Sequence, residues 1–590
     1  MKKLHYVLFI FVISAMSSCS LPNMVKLAGE QDLQVNPNPL EVHADTVTFD
    51  MSAVLPVKML KKGKVYTLNT FYKYGDNEVA LESIEFRADD YPNASTEQPR
   101  QSKTFSFGYT NAMEKGELQI QGVASDPAKD KSESTERMTI APGIITTSRL
   151  VEKSYHAVYA GHGYNNQEEL VPTKIDFFFD QGRSTLKRSE RSSDRGKQFE
   201  AFIAEKNVTK TVTITGTHSP EGNERINSGL SEDRAKVIEK YYREQMKRYD
   251  YKGMADSIEF ILKPVIEDWA KFKDLLADYE GISSEEKSEY LNIVNGSGSF
   301  EEKEKQISKL STYKTVFDDI YPTMRAANTE ILNIKEKKTD EEISVLAKLI
   351  TQNQASIDTL SEEELMYAAT LTPSLQEKEA IYKAATKKSD SWNSHNNLGA
   401  VYIEMAIENP SQASQYMEMA STQLDIAANK NAAGEVHANM SSIALMEGNA
   451  YSAYDHANQA SGLSSEDASG LNGVKGAAEI MMAKYSDAVR STSSATETAV
   501  NLYNKGLAQI LNKDYQSAIS SFEEATSKDS GMAIAYYAAA VANARANNLQ
   551  GIIDNLKNAF NNDPELKSKA LTDLEFRNYV KDATFAAALK

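Results

Sequence analysis

Short runs of alternating apolar and polar residues fill positions 45–165. The apolar members of these runs include Val47, Phe49, Met51, Leu68, Ile84, Phe86, Phe105, Phe107, Leu118 and Ile120. Turn-forming stretches, such as the Tyr-Gly-Asp-Asn run at 74–77, separate the runs. A period of two is typical of strands that bury one face, so this region predicts an antiparallel β-sandwich domain.

Residues 171–337 mix strand and helix patterns. Apolar strands are predicted at 174–180 and 212–215, and a polar helix between them ends near Glu205. A second helix follows, whose apolar residues recur at i, i+7, i+8 and i+11: Leu230, Val237, Ile238 and Tyr241. The alternation predicts a central α/β domain with a long helical insertion at about 267–325.

Helical patterns govern residues 340–590, where the composition becomes rich in alanine. A spacing of 34 residues relates one set of positions, Leu502, Gly506, Phe522 and Ala525, to a second set, Tyr536, Ala540, Leu556 and Ala559. Looser copies precede them, so we expect about five helix pairs between 362 and 575, with a capping helix after Glu575. A generic helical bundle would explain the alanine content but not this register.

The 34-residue register resembles the tetratricopeptide repeat. Small residues at fixed positions let paired helices approach, and larger residues fill the gap between repeats. The resemblance implies an all-α solenoid whose concave face binds peptides or protein segments.

Residues 1–18 have the features of a secretory signal. Two lysines precede a mostly apolar run at 6–16, and Ser17 and Ser18 follow it. The run is too short to span a membrane as a helix. The one cysteine of the chain comes directly afterwards, at position 19.

This arrangement resembles a bacterial lipoprotein signal, which implies that Cys19 becomes the lipidated first residue of the mature chain. The alternative is an ordinary secreted protein with an incidental cysteine. Ser20 follows, without aspartate or nearby acidic residues, which implies an outer-membrane lipoprotein facing the periplasm. Residues 19–44 show little periodicity and contain Asn-Pro-Asn-Pro, so we expect a tether.

The second helix of the α/β region carries the most specific motif. Its run Asn227-x-x-Leu230-Ser231-x-x-Arg234-Ala235 resembles the signature of OmpA-like domains. The long helical insertion is similar to the variant of that domain in Bacteroidota envelope proteins. The resemblance implies a domain that holds peptidoglycan, in which an arginine and a loop carboxylate grip the zwitterionic end of diaminopimelate.

Four residues are candidate peptidoglycan contacts. Arg234 matches the family arginine, whose fork suits a carboxylate because two parallel charge-assisted bonds fix its orientation. Ser219 stands where the family has aspartate, so half of the recognition pair lacks its charge. Glu221 offers a carboxylate nearby, and Asn227 opens the motif. The alternative is that Arg234 only pairs locally on a retained scaffold.

Charge and composition narrow the classes of function. The chain has 65 Lys and Arg against 83 Asp and Glu and no basic block with interleaved aromatics, so nucleic acid is not an expected partner. One cysteine cannot form an intrachain disulfide or a cysteine-based zinc site. The eight histidines are scattered, and phosphate-binding and nucleophile motifs are absent. We therefore expect no cofactor and no enzymatic activity.

These features predict a multidomain scaffold. The leading hypothesis is a lipid-anchored, periplasm-facing outer-membrane protein that links an envelope complex to peptidoglycan and recruits partners through its repeats. By analogy, the complex is of the barrel-assembly type or of the secretion and gliding type. One alternative is a protein-docking accessory subunit without peptidoglycan binding, and another is an envelope hydrolase with an unrecognised site.

Overall fold

The structure is a computed structural model that describes residues 20–249, 256–265 and 269–589. The predicted signal at 1–18 and the predicted lipidation site, Cys19, lie outside the described residues. None of the described helices is long and apolar enough to cross a membrane.

The chain divides into two compact units. One combines the part before Asn165 with the part from Asp340 onward, and the other is Asn165–Thr339. The β-rich region and the helical region, which the sequence predicts as separate domains, therefore belong to one unit. The α/β region is inserted between them along the chain.

The N-terminal region is rich in β structure. Its strands β1–β11 are Asp32–Asn36, Leu40–His43, Thr46–Val54, Val65–Tyr74, Asn77–Ala80, Ile84–Arg87, Arg100–Gly108, Glu117–Asp126, Lys131–Ser134, Met138–Pro142 and Ile144–Ile145. One sheet has the order β1-β3-β2-β11, with β7 also paired to β3. The other has the order β10-β8-β4-β5, with β6 on β4 and β9 on β8.

Alternation along the strands matches the sequence pattern. Val47, Phe49 and Met51 of β3 are buried, and the residues between them are exposed. The two sheets share one core, in which Tyr72 of β4 lies 5.0 Å from Phe107 of β7 between ring centroids. The predicted β-rich region is confirmed.

The predicted tether differs from the structure, in which it is folded. Helix α1, Ser20–Leu27, buries Leu21 and Met24, which lie three residues apart on one face. Strands β1 and β2 then join the first sheet by antiparallel pairing with β3. The sequence pattern misses these strands because their hydrogen bonds come from a neighbouring strand rather than from local periodicity.

The α/β unit contains strands β12–β15 and helices α2–α9. The strands are Leu170–Phe178, Thr209–Gly216, Glu259–Pro264 and Ala326–Ile334. The helices are Arg188–Arg191, Asp194–Ala204, Glu224–Arg248, Trp269–Asp278, Ser284–Asn295, Phe300–Ile307, Tyr313–Asp319 and Tyr321–Met324. The sheet order is β12-β15-β13-β14, with β15 antiparallel to both neighbours and β13 parallel to β14.

Two cores support this unit. Helix α4 packs Ala235, Ile238 and Tyr241 against the sheet. Helices α5–α9 form the insertion between β14 and β15 and have a core of their own around Phe272 and Tyr321. The insertion therefore begins and ends at the end of the sheet where β13 leads into α4, since Gly216 of β13 pairs with Pro264 and Ala327.

The helical region runs from α10 to α24. These helices are Asp340–Thr351, Glu362–Ala368, Leu375–Ser389, Trp392–Glu408, Ala413–Lys430, Gly434–Met446, Ala450–Gln459, Ser465–Met481, Tyr485–Ser493, Ala499–Leu511, Tyr515–Lys528, Ala533–Arg545, Leu549–Asn562, Glu565–Ala570 and Ala583–Ala588. Helices α13 to α22 pack as successive pairs. The first helices of the last three pairs begin at Ser465, Ala499 and Ala533, at intervals of 34 residues, so the predicted tetratricopeptide-like repeat region is confirmed.

Glycines at predicted small positions let the two helices of a pair approach. A Cβ atom on Gly506 would lie 2.7 Å from the ring of Phe522, and one on Gly399 would lie 2.9 Å from Leu424 Cγ. Both distances are shorter than an ordinary contact. A larger residue at either position would therefore push the paired helices apart.

An ion pair joins the last repeat to the β-rich region. Arg545 of α21 binds both carboxylate oxygens of Glu575, at 2.9 and 2.6 Å. Its Nη2 also donates to Glu41 of β2 at 3.2 Å, and Glu575 accepts from the hydroxyl of Thr147. The side chain of Glu575 is 3% exposed. The predicted capping segment after Glu575 contributes Phe585 of α24 to the core of the last repeat.

We expect Arg545→Met to lower the free energy of unfolding of the first unit by about 3–5 kcal/mol, because the change leaves Glu575 buried and unpaired. Chemical denaturation of the purified protein measures the effect. Arg490→Met is the matched control, since it removes an exposed pair with Asp487 and should cost less than about 1 kcal/mol. Equal losses in the two variants would contradict the role of this joint.

Candidate functional site

Arg234, the candidate wall-binding arginine, is buried in the α/β unit and donates to backbone carbonyls. The residue is 1% exposed. Its Nε donates to Arg183 at 3.0 Å, its Nη1 to Thr217 at 2.6 Å and its Nη2 to Asp180 at 3.3 Å. Burial, together with the nearby charge of Arg325, lowers the pKa of Arg234 to about 10. One side chain thus holds together the loops that follow β12 and β13.

Ser219 and Glu221 face a second arginine, Arg325, which directly follows the helical insertion. The Nε of Arg325 donates to the hydroxyl of Ser219 at 2.9 Å and to Glu221 Oε1 at 3.1 Å. Its Nη2 lies 3.0 Å from the same carboxylate oxygen, and the side chains of Arg325 and Glu221 are 9% and 16% exposed. The carboxylate that the sequence offers to a ligand therefore neutralises Arg325, a partner that sequence reasoning missed.

Asn227 holds the loop in this arrangement. It is buried, and its side-chain amide donates to the carbonyl of Glu221 at 2.9 Å. The structure therefore brings all four predicted contacts together, in a polar cluster of Arg234, Arg325, Ser219, Glu221 and Asn227. The hydrogen bonds that these five residues make with one another and with the loop carbonyls are all intramolecular.

A further carboxylate, Glu304 of α7, lies beside the polar cluster. It accepts hydrogen bonds from the hydroxyls of Tyr313 and Tyr321, at 2.8 and 2.5 Å. Burial, together with the nearby charge of Glu221, raises the pKa of Glu304 to about 7, although the two tyrosine hydroxyls act to lower it. The α/β unit thus contains a buried acid that titrates near neutral pH.

A second candidate site lies in the first unit, along the inner groove formed by the first helices of successive pairs, α13, α15, α17 and α19. Residues 150–164, which we name the groove segment, follow the β-rich region and have no regular secondary structure from Val151 onward. The hydroxyl of Tyr503 on α19 donates to the carbonyl of Leu150 at 2.6 Å, and Tyr164 stacks on Tyr367 of α11 at 4.8 Å. The groove segment therefore crosses the repeats in reverse order.

Asparagine side chains hold the main chain of the groove segment. Each of three amides accepts from the N–H and donates to the C=O of one residue, as a neighbouring strand would. We name Asn397, Asn439 and Asn504 the asparagine ladder. The pairs are Asn504 with Glu152, Asn439 with Val158 and Asn397 with Ala160. The distances from the main-chain N to the asparagine Oδ1 are 3.1, 2.8 and 2.7 Å, and those from the asparagine Nδ2 to the main-chain O are 2.6, 2.7 and 2.9 Å, in the same order.

Two further even-numbered residues, Ser154 and His156, also contact the repeats, while the side chains of Lys153 and Tyr159 bond Met446 and Glu404. The hydroxyl of Ser442 accepts from the N–H of His156 at 3.2 Å and donates to its C=O at 2.8 Å. The hydroxyl of Ser154 donates to Asn501 at 2.7 Å. The main-chain groups of Glu152, His156, Val158 and Ala160 thus face the helices. The groove segment lies in the inner groove as an extended peptide.

Sequence reasoning named none of these asparagines, although a signal is present. Asn397, Asn439 and Asn504 are each the sixth residue of their helix, α13, α15 and α19. The sixth residue of α17 is Gly470, where a Cβ atom would lie 2.4 Å from the ring of His156. An amide that recurs at one position of alanine-rich repeats marks the contact face, once the helix boundaries are known.

The pH dependence of stability tests Glu304. Because its pKa rises from an ordinary value of 4.5 to about 7 on folding, the folded state retains an extra proton between these values. This stabilisation is present below pH 4.5 and is lost as the pH rises through 7, a change of roughly 3 kcal/mol. Denaturation of the wild type across pH 4–9 should show the decline, and Glu304→Gln should flatten it. The exposed Glu289→Gln is the control; an unchanged decline in Glu304→Gln would contradict the assignment.

Loss of one rung tests the asparagine ladder. Asn439→Ala should lower the free energy of unfolding of the first unit by roughly 1–3 kcal/mol, because the N–H of the buried Val158 is left unpaired and its C=O keeps only the bond from Asn396. Trypsin should also cleave faster after the exposed Lys153. Asn558→Ala, on the exposed face of α22, should change neither measurement. An Asn439→Ala protein as stable and as protease-resistant as wild type would contradict this role.

Comparisons with known proteins give limited similarity. No family model matches the chain, and no curated protein matches it. Among solved structures, the chain is similar to YrrB, a TPR protein with an unusual peptide-binding site, with 16% identity, 39% of this chain and 99% of YrrB covered and a TM-score of 0.22. It is also similar to the APC/C hetero-tetramer Cut9-Hcn1, with 12% identity, 63% of this chain and 77% of that chain covered and a TM-score of 0.30. For yeast Tom70 the identity is 12%, the coverage is 61% of this chain and 84% of Tom70, and the TM-score is 0.26. Scores this low do not establish a shared fold, and the repeat assignment rests on the helix geometry of this chain.

Proposed function

We propose that this protein is an envelope-anchored interaction scaffold whose α/β unit and helical repeats dock other proteins. The observation that carries the proposal is the inner groove, where the asparagine ladder binds an extended polypeptide by its main chain. Helices that bind main chain in this way suit the recognition of extended segments. In this chain the bound segment is its own.

Cys19 supplies the anchor in this proposal. The sequence pattern of residues 1–19 supports lipidation at the outer membrane, on the periplasmic side. More than one acyl chain on a residue gives stable membrane attachment, since each buried methylene contributes about 0.8 kcal/mol. The docked partner would be an outer-membrane protein complex, by analogy of the barrel-assembly type or of the secretion and gliding type.

The geometry favours docking without peptidoglycan binding at Arg234. Three N–H donors of Arg234 bind loop carbonyls, and Oε1 of Glu221 binds Arg325. A diaminopimelate carboxylate would have to displace those carbonyl bonds, at a cost of about 1–3 kcal/mol for each buried group left unpaired. Wall binding at this site therefore requires the loop after β13 to rearrange.

Purification of the tagged full chain from detergent-solubilised native membranes tests the proposal. We expect a defined set of envelope proteins to co-purify in constant ratio, and mass spectrometry to find acylated Cys19 as the mature N-terminus. Recovery of the chain alone, or of a different N-terminus, would contradict the scaffold or its anchor. Sedimentation of the purified protein with peptidoglycan sacculi, lost on Arg234→Lys, would contradict docking without wall binding.

A further inference from the structure

The groove segment has two main-chain edges, and the contacts with the inner groove use one of them. The asparagine ladder and Ser442 bond the N–H and C=O groups of Glu152, His156, Val158 and Ala160, and Ser154 between them bonds Asn501 through its hydroxyl. In an extended chain both main-chain groups of a residue point to one side, and those of the next residue point to the other. The second edge therefore belongs to the odd-numbered residues, Lys153, Tyr155, Ala157 and Tyr159.

This second edge is unpaired. The N–H and C=O groups of its four residues make no hydrogen bond with any other described part of the chain. Lys153 is exposed and the other three residues are half-buried, so this edge lies outside the sealed core, where unpaired N–H and C=O groups would be costly. Its end borders a cavity of about 370 Å³, lined by Tyr159 and Gly161 on the groove segment and by Met366 and Tyr382 on the repeats.

A row of donors and acceptors that repeats every second residue has the pattern of an open strand edge. An extended polypeptide matches such a row with its own alternating groups, as in recognition by strand addition. We propose that the free edge of the groove segment, residues 153–159, docks an extended segment of a partner protein as an added strand. This inference rests on the proposed scaffold function and specifies how a partner is held.

Side chains near the free edge define the character of that segment. Lys378 lines the cavity, with its Nζ 5.4 Å from the ring centroid of Tyr159, and it makes no ion pair with the described residues. Tyr155 and Tyr159 of the free edge are half-buried aromatic residues, and the hydroxyl of Tyr159 donates to Glu404 at 2.7 Å. The complementary partner segment is therefore extended and β-branched, with an acidic side chain at the end that meets Lys378.

Peptides with one-sided N-methylation test the free edge on the wild-type protein. The probe is a fluorescein-labelled peptide of alternating threonine and valine that ends in aspartate, and fluorescence anisotropy measures its binding to the detergent-solubilised mature chain. Two versions carry N-methyl groups on the threonines or on the valines, which removes the N–H donors of one peptide edge. We expect saturable binding of the parent peptide, at least tenfold weaker binding of one methylated version, and unchanged binding of the other.

Variants of the protein provide a second test of the free edge, with the same peptide-binding measurement. Ala157→Pro removes an N–H of the free edge, and its ring suits an extended neighbour, so we expect at least tenfold weaker peptide binding with unchanged trypsin resistance at Lys153. Lys378→Gln should weaken binding about threefold, whereas Lys557→Gln on the exposed face of α22 should not change it.

Three results would overturn the inference. The first is no saturable binding up to millimolar peptide, and the second is equal binding of both methylated peptides. The third is trypsin cleavage at Lys153 that increases as the peptide binds, which would mean that the peptide displaces the groove segment. None of them would prevent the co-purification of envelope proteins from native membranes. Failure of the free edge is therefore distinguishable from failure of the scaffold function.

Discussion

The main-chain hydrogen bonds of the groove segment are the constraint on which the first unit depends. A polypeptide that crosses a helical surface must satisfy its N–H and C=O groups, because each buried group left unpaired costs free energy. Amide side chains solve this problem with one donor and one acceptor per residue. The repeats and the β-rich region are thereby joined along the groove, and the buried pair of Arg545 and Glu575 joins them again at the last repeat.

The same requirement explains the α/β unit. A buried guanidinium needs acceptors, and Arg234 finds them in three loop carbonyls, while Arg325 takes the carboxylate of Glu221. Ser219 offers one hydroxyl, which accepts from Arg325. The motif that resembles a peptidoglycan site thus acts in this structure as the joint between the helical insertion and the sheet.

Function follows from which polar groups remain available. The groove segment of the same chain fills the inner groove of the repeats, so under the proposed function a partner meets this segment before it meets the helices. The main-chain groups between Lys153 and Tyr159 that point away from the asparagine ladder are open to a partner. A scaffold of this kind presents a preformed edge and avoids the entropic cost of ordering a loop when the partner binds.

Local periodicity in the sequence predicted the elements of this protein that follow residue 45. The alternation of Val47, Phe49 and Met51, the helical face of Ile238 and Tyr241, and the 34-residue register each report which side of an element is buried. Burial of a face is a short-range property, since it repeats along the chain with the period of the element itself.

Tertiary structure alone decided the partners of the polar residues. Glu152 and Asn504 are 352 positions apart, Ser219 and Arg325 are 106 apart, and no local pattern links either pair. The predicted tether folds for the same reason, because β1 and β2 take their bonds from β3. The sequence thus determined which residues are buried, and only the assembled fold decided which hydrogen bonds those residues make.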